Sequence, residues 1–496
     1  LQQTKKVEIA PSHDLPQATM NINENQTIFF QIPAELHSDA AKREIPPTPE
    51  TFSVTEFSNE DGSLVRSSPE GTPLAGDVAR ALNLEAAAQV KRSYPLKCTI
   101  VPWEGDKFFS DYIQDALKFK GEDSNDIVMV YECPSSSSND TSFYNCGRYR
   151  IHDYPPTPLS YKAMLRPLRY ASMNGNTYPS FLVSQPPMEL LNHWAKTIPN
   201  FDVPEFINEI PDSAKVNAYL PMEQYPNDRH INDPDLHYFL AGKAAINCMT
   251  DKTTRLLPNT KDVRPCVAKV THAMGSLGIF IIRNDDDEAE FEQFVQETGN
   301  PTFVITEFVN IKRNVSCHFF IHPNGEVIWF GSSENLLLPN GSWSSDSTID
   351  MVLQDELREL QAPYAKEVAE YCLAQGYWGF GGIDVLVDQD GIGYVCDVNP
   401  RVTGTMPALM VAKLIEDKYG FVCGKFRKSS KYSYDGPVEE LFRLVDEHNE
   451  HAEGESRVVI FSICVLSETE TQINVGAFSN SHERCEELLD RFAKKR

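Results

Sequence analysis

Apolar and polar residues alternate on both sides of an Asp390-Gly391 dipeptide, in Gly381-Gly-Ile-Asp384-Val-Leu-Val-Asp388-Gln-Asp390-Gly391-Ile-Gly-Tyr-Val-Cys-Asp397-Val-Asn399-Pro-Arg401. A period of two around Asp-Gly predicts a β-hairpin. With those two residues as the loop, Gln389 faces Ile392 and Asp384 faces Asp397. Ile383, Val385 and Val387 then share a core face with Tyr394, Cys396 and Val398, because side chains alternate across a strand. Asp384, Asp397 and Asn399 fall on the opposite face.

Upstream, residues 1–70 are polar and Pro-rich with no sustained period, which predicts an extended arm. The pattern then turns α/β: a helix over 75–90, a strand over 96–101, a helix over 107–118 and a buried strand over 126–131 (Asp-Ile-Val-Met-Val-Tyr). A strand over 180–184 and a helix over 188–196 continue it, after a Ser-rich loop at 135–140. Alternation of this kind predicts a doubly wound parallel sheet. The Pro-rich stretch 199–234 reads as a connector. A new unit opens at Asp233-Pro234, good N-cap and N1 residues. It comprises a helix through Lys243, a strand over 265–270, a Gly-bearing turn, a strand over 302–308, a hairpin through Asn324-Gly325, a helix over 362–375 and the aspartate hairpin. Strands over 458–466 and 473–478 follow. A closing helix, capped by Asn480 with Glu483 at the capping-box spacing, ends in Lys494-Lys495-Arg496. The expected domains are 1–233, 234–420 and 421–496.

Composition narrows the class. A chain of 496 residues is too long for one core. It has no apolar run long enough to span a bilayer, and Leu1–Lys6 carries no signal-peptide pattern. A cytoplasmic protein is expected. The formal charge of −26 argues against nucleic acid or anionic membrane as partners, and requires any phosphate site to be built locally. Eleven scattered cysteines without a C-x-x-C pair predict reduced thiols. The N-x-S/T sequons at Asn25, Asn139, Asn314 and Asn340 are read as chance matches.

Two carboxylates facing across a hairpin stand about 5 Å apart and repel. A hard cation between them resolves the conflict, and Mg²⁺ takes oxygen ligands of this kind beside substrate phosphates. Lys269 ends a predicted strand and is followed by Gly275-Ser276-Leu277-Gly278. Such a turn exposes backbone N–H groups to phosphate oxygens, with the lysine adding a point charge. A plain hairpin loop and a solvated lysine are the alternative. Glu307-Phe308-Val309 ends another apolar strand, where backbone groups can meet a base edge or an edge strand can simply leave its sheet.

In this order, the residues resemble the ATP-grasp superfamily of carboxylate ligases over about 234–419. The resemblance implies an ATP-grasp fold, preceded by a Rossmann-like domain and followed by a small α+β domain. It implies that Lys243 and Lys269 contact phosphates, with Lys252 a rival for the first role, and that 272–278 form a flap. Glu307, Phe308 and Val309 would hold adenine and Asn314 the ribose. Asp384, Asp397 and Asn399 would ligate Mg²⁺, with Mn²⁺ as a substitute. Arg401 would act with Lys269 in catalysis, steadying the transferred phosphoryl group. The sequence departs from the family pattern in carrying Asp397 where Glu is usual, Asn314 where an acid is usual, and Gly382 where an Arg often stands. The layout, with Asn399-Pro-Arg401-Val-Thr403-Gly404-Thr405 after the metal ligands, is similar to pheganomycin-type peptide ligases.

The resemblance implies a carboxylate–amine ligase acting on small molecules and forming dimers in many relatives. A phosphoryl transferase and a non-catalytic ATP-binding protein remain as alternatives. Glu334, Asn335, Thr403 and Gly404 are candidate substrate contacts, with turn polarity the other reading for the first two. The loop 332–346 reads as a lid or an ordinary surface loop.

Overall fold

The computed structural model describes residues 96–496 apart from 135–142, 146, 154–156, 276–277, 299–300, 338–342, 453 and 496. Earlier in the chain it describes three short strands, Asn21–Ile22, Thr27–Gln31 and Thr51–Thr55, paired antiparallel. The expected arm, the helix over 75–90 and the Ser-rich loop therefore lie largely outside the described residues.

Ile127–Val130 is buried along its whole length, as an apolar run covered on both faces must be. It pairs in parallel with Lys215–Ala218 on one side and Ser180–Phe181 on the other, and Phe206–Ile207 completes the sheet. The parallel sheet matches expectation, but 199–234 is not a connector: it supplies two of the four strands. Its prolines hide strands of two and four residues whose burial comes from neighbours. The helix Phe109–Lys120 ends at Gly121, whose φ of +70° suits glycine.

A larger sheet forms the centre. Its order is Gly393–Asn399, Gly379–Asp388, Ile311–Ile321, Glu326–Leu337, Trp343–Asp350, Cys423–Arg427, Glu470–Ser479, Tyr432–Asp435 and Lys494–Lys495, each antiparallel to its neighbour. It runs unbroken into the segment after residue 421, where Ser456–Ser467 also pairs with Glu470–Ser479. The strand expected over 96–101 is Thr99–Pro102. It joins this sheet, parallel to 326–329, rather than the parallel one. Phe109 meets Phe380 edge-on at 4.9 Å and Tyr112 lies 5.3 Å from Phe320, which docks the helix Phe109–Lys120 onto the sheet.

A third sheet places Cys266–Val270 between Ile279–Ile282 and Phe303–Glu307, under the helix Asp285–Glu297. Residues 308–310 link it to the large sheet.

Three boundaries differ from expectation. The Asp233 carboxylate accepts from the Asp235 amide at 2.8 Å as a cap should, but the helix stops at Leu240. Lys243 opens a separate 3-10 turn, because Gly242 is extended and packs so closely on His272 that a Cβ would lie 2.8 Å from Nε2. The helix expected over 362–375 is Gln354–Gln375, with Pro363 inside it. The last helix, His482–Phe492, is capped by Ser481 rather than Asn480. Lys494 and Lys495 leave it to pair with Ser433 and Tyr432.

Candidate functional site

Asp384 faces Asp397 across the hairpin, by a route the sequence did not reveal. Val387 pairs with Gly393, Leu386 with Tyr394 and Val385 with Val395, one residue out of the simple Asp-Gly register. The turn is wider because the Asp388 carboxylate accepts from the amides of Asp390 at 3.0 Å and Ile392 at 2.8 Å. A bulge at Cys396 then restores the pairing at Asp397. The core face is corrected accordingly: Val395 and Val398 are buried there, whereas Tyr394 and Cys396 are not on it. Cys396 lines the cleft beside Asp397.

That cleft, about 1310 Å³ with its open mouth included, lies between the small and large sheets. One end is apolar, walled by Val267, Ile279, Ile281, Val309 and Leu386; the other carries Lys243, Lys269, Asp384, Asp397, Asn399 and Arg401. An apolar slot with convergent charges at one end is the usual form of a small-ligand site.

The ionic end is tightly connected. Lys243 Nζ lies 3.5 Å from Asp397 Oδ1 and donates to Ala273 O at 3.5 Å. Burial, together with the like charge of Lys243, holds the Lys269 amine below the ordinary lysine range. Asn399 Nδ2 donates to Asp397 Oδ2 at 3.3 Å, and Arg401 Nη2 to Asn399 Oδ1 at 2.6 Å. Ser316 Oγ donates to Asp384, and Asn335 Nδ2 to Ser316.

Burial, then the facing Asp397, pushes Asp384 up to about 6. An acid raised in the folded state is relieved at low pH, so stability is lost as pH rises from about 4, the unfolded value, through about 6. In divalent-free buffer, Asp384→Asn is expected to flatten this slope and stabilise the chain at pH 7 by on the order of 2 kcal/mol. Melting curves across pH 4–7 check it.

The remaining expected residues divide. Glu307, Phe308 and Val309 all line the cleft, and the Glu307 carboxylate accepts from the Arg255 amide at 2.9 Å. Gly275 lines it too; Ser276 and Leu277 lie outside the described residues. Gly278 has φ +67° and a Cβ there would stand 2.5 Å from Val270. Asn314 lines the cleft with its buried Oδ1 unpartnered among the described residues. Thr403, Gly404 and Asn335 are in the lining; Glu334 is not, and pairs with Arg313 at 2.6 Å. Lys252 pairs with Glu367 at 2.6 Å, outside the lining that holds Lys243.

Sequence reasoning missed Ser316, His318, Thr405 and Lys428. A signal existed for the first two: Asn314, Ser316 and His318 alternate with Val315, Cys317 and Phe319. Lys428 had none, standing far from every motif. Gly382, without a readable role before, is required by close approach, since a Cβ there would lie 2.7 Å from Thr403 Cγ2 and 3.0 Å from His318 Nδ1. Gly382→Ala is expected to cost about 1–3 kcal/mol through that overlap, read as a lowered denaturant midpoint.

Residues 253–399 match the family model described as L-aspartate–L-methionine ligase, ATP grasp. That stretch of the chain is similar to an ATP-grasp ligase module. The large chain of carbamoyl phosphate synthase from Pasteurella multocida (strain Pm70) is 27% identical over 146 residues, which are 29% of this chain. The chain spans only 13% of that relative. Among solved structures, the ADP complex of N5-carboxyaminoimidazole ribonucleotide synthetase is similar over 81% of this chain and 97% of its own, at 14% identity and a TM-score of 0.42. Biotin carboxylase from Campylobacter jejuni is similar over 80% and 92%, at 11% identity and a TM-score of 0.40. The matched span of the ATP-grasp module contains Lys269, the 307–309 link and both aspartates; Lys243, Arg401 and Lys428 lie outside it. No helix among the described residues is long and apolar enough to cross a membrane.

Proposed function

We propose that the protein is an ATP-dependent ligase that activates a carboxylate as an acyl phosphate and joins it to an amine. The observation that carries this reading is the Asp384–Asp397 pair, facing in one cleft with Asn399, Lys243, Lys269 and Arg401. Two partly buried like charges in register are costly to a fold unless something positive stands beside them.

The donor set fits Mg²⁺. Two carboxylates and an amide oxygen supply only part of an octahedron, and Mg²⁺ characteristically completes its shell with water and substrate phosphates. Asp384, Asp397 and Asn399 would hold the ion, and the chemistry it supplies is neutralisation of charge on phosphate oxygens.

The chain's own groups do the rest. The apolar end, between Ile279, Ile281 and Leu386, takes the base of ATP, with the backbone of 307–309 at its edge. Lys243 and Lys269 position the phosphates as point charges. A carboxylate oxygen of the substrate attacks the γ-phosphorus and the bond to the ADP oxygen breaks. Arg401 stabilises the charge of the acyl phosphate. The amine nitrogen then attacks the acyl carbon, the C–O bond breaks, phosphate leaves and the amine gives up a proton. The flap expected at 272–278 would cover the phosphates and keep water from the acyl phosphate. Amino acids or peptides are the proposed substrates, the matched family's name being that of an amino-acid ligase.

Incubation with ATP, Mg²⁺ and pooled amino acids tests the reading. An amide with ADP and phosphate supports it. A stable phosphorylated product would indicate a phosphoryl transferase instead, and absence of turnover a binding protein. Lys243→Ala is expected to weaken ATP binding about tenfold or more, whereas Lys252→Ala leaves it within about twofold, measured by calorimetry.

A further inference from the structure

Beyond the aspartate pair the cleft ends in a corner whose two basic residues lie outside the ATP-grasp match. Arg401 and Lys428 both line it, from separate places in the chain: Arg401 follows the strand Gly393–Asn399, and Lys428 directly follows Cys423–Arg427. Lys428 is 3% exposed. Its Nζ donates to Ser347 Oγ at 3.2 Å and to Thr405 Oγ1. Its methylenes lie along Gly404, where a Cβ would stand 3.3 Å from Cδ and Cε. Gly404 thus gives the lysine its passage into the cleft.

His318 closes the corner. Nδ1 is engaged with Thr403 Oγ1, while Nε2 is buried and has no partner among the described residues, in a ring that lines the cleft. Burial, with the charges of Lys428 and Arg401, pushes this imidazole down to about 3, so it is neutral. Nε2 is therefore a buried polar atom of a neutral ring, without a partner among the described residues.

More positive charge stands behind. Arg166 and Arg169 are buried on the helix Arg166–Ala171, and Arg166 shares the Tyr219 ring with Arg401, at 5.8 and 5.0 Å. They hydrogen-bond Cys133, Tyr144, Tyr161, Tyr170 and Asn474, and neither forms an ion pair with a carboxylate among the described residues. Buried cations are costly without an anion nearby. Although burial would raise the Tyr161 phenol, the guanidiniums of Arg169 and Arg166 outweigh it and hold the group below its ordinary value. The positive field of this corner acts on its neighbours in that way.

We propose that Lys428 and His318 are substrate-binding residues which, with Arg401, seat the carboxylate that is to be activated. The inference rests on the ligase reading and deepens it. The segment after residue 421 becomes part of the substrate site, and Arg166 and Arg169 supply the field that draws a carboxylate past a strongly acidic surface. His318 Nε2–H donates to one carboxylate oxygen, Lys428 Nζ and the Arg401 guanidinium donate to the other, and the amine of an amino acid is left pointing along the cleft.

The test uses the full chain with ATP, Mg²⁺ and hydroxylamine, which traps an acyl phosphate as a hydroxamate, and each of the twenty amino acids in turn. For the most reactive one, Lys428→Met is expected to raise KM for the amino acid about tenfold or more with KM for ATP within about twofold, and Lys428→Arg to recover most of the loss. An unchanged KM for the amino acid in Lys428→Met, or an equal rise in KM for ATP, overturns the seat while leaving the ligase standing. Should no hydroxamate form, each amino acid is titrated calorimetrically into MgADP-saturated protein. Binding weakened by Lys428→Met and by His318→Leu would then support the seat and remove the ligase; no binding by the parent chain would remove both.

Discussion

Asp397→Ala is expected to lower the rate of ADP release and of amide formation by about 10³-fold or more while the chain stays folded. Asp397 stands at the bulge of the hairpin, opposite Asp384, with 27% of its side chain exposed. Removing it opens no apolar cavity. It deprives Lys243 and Asn399 of their shared partner, and it removes the repulsion that burial makes costly at Asp384. The melting temperature in divalent-free buffer is therefore expected to hold or rise even as activity disappears. A structural role would show the reverse: a lower melting temperature and a rate reduced only in proportion. Asp397→Glu restores the acid that the resembling family usually carries and is expected to retain measurable turnover. Product formation by the alanine variant within tenfold of the parent rate would refute the assignment.

Arg401→Ala is expected to cost about 10²–10³-fold in kcat, with a smaller change in KM for ATP. The guanidinium makes three contacts at once. It donates to Asn399 Oδ1 at 2.6 Å and to Val402 O at 3.3 Å, and it lies 5.0 Å above the Tyr219 ring. A planar fork can hold an amide, a carbonyl and an aromatic face together; an ammonium on a flexible stem cannot. Arg401→Lys is therefore expected to recover little of the loss. Rapid-quench measurement of ADP formation separates this effect from product release. A raised KM with kcat unchanged for Arg401→Ala would assign it to uniform binding and not to the charge that develops during transfer.

Legibility in the sequence followed the range of the interaction. The aspartate hairpin was readable because period two and an Asp-Gly turn are local signals, yet its detail was not. Asp388 pulls the turn wider through its carboxylate, and the bulge at Cys396 compensates. The facing of the two aspartates thus survived two departures that cancel, while Tyr394 and Cys396 changed faces. Lys243 and Lys252 are told apart by contacts alone. Both are lysines at plausible spacing, and only packing shows one beside Asp397 and the other on Glu367. Glu334 and Asn335 are adjacent in sequence and were read alike. Pleating sends one to Arg313 and the other into the cleft.

The order of the chain alone determined that two acids, an amide and an arginine lie in one short stretch, that an apolar strand ends at Glu307, and that a parallel sheet lies in the first half of the described residues. Each depends on neighbours within a few residues, where spacing converts directly into geometry. Only the tertiary structure decided that the large sheet continues past residue 421 and carries Lys428 into the cleft, that Thr99–Pro102 leaves its own half to join that sheet, and that His318 keeps a buried nitrogen open. Those facts are set by strand pairings between residues tens to hundreds of positions apart. The free energy of such pairings comes from burial and backbone hydrogen bonds, to which local pattern gives no address.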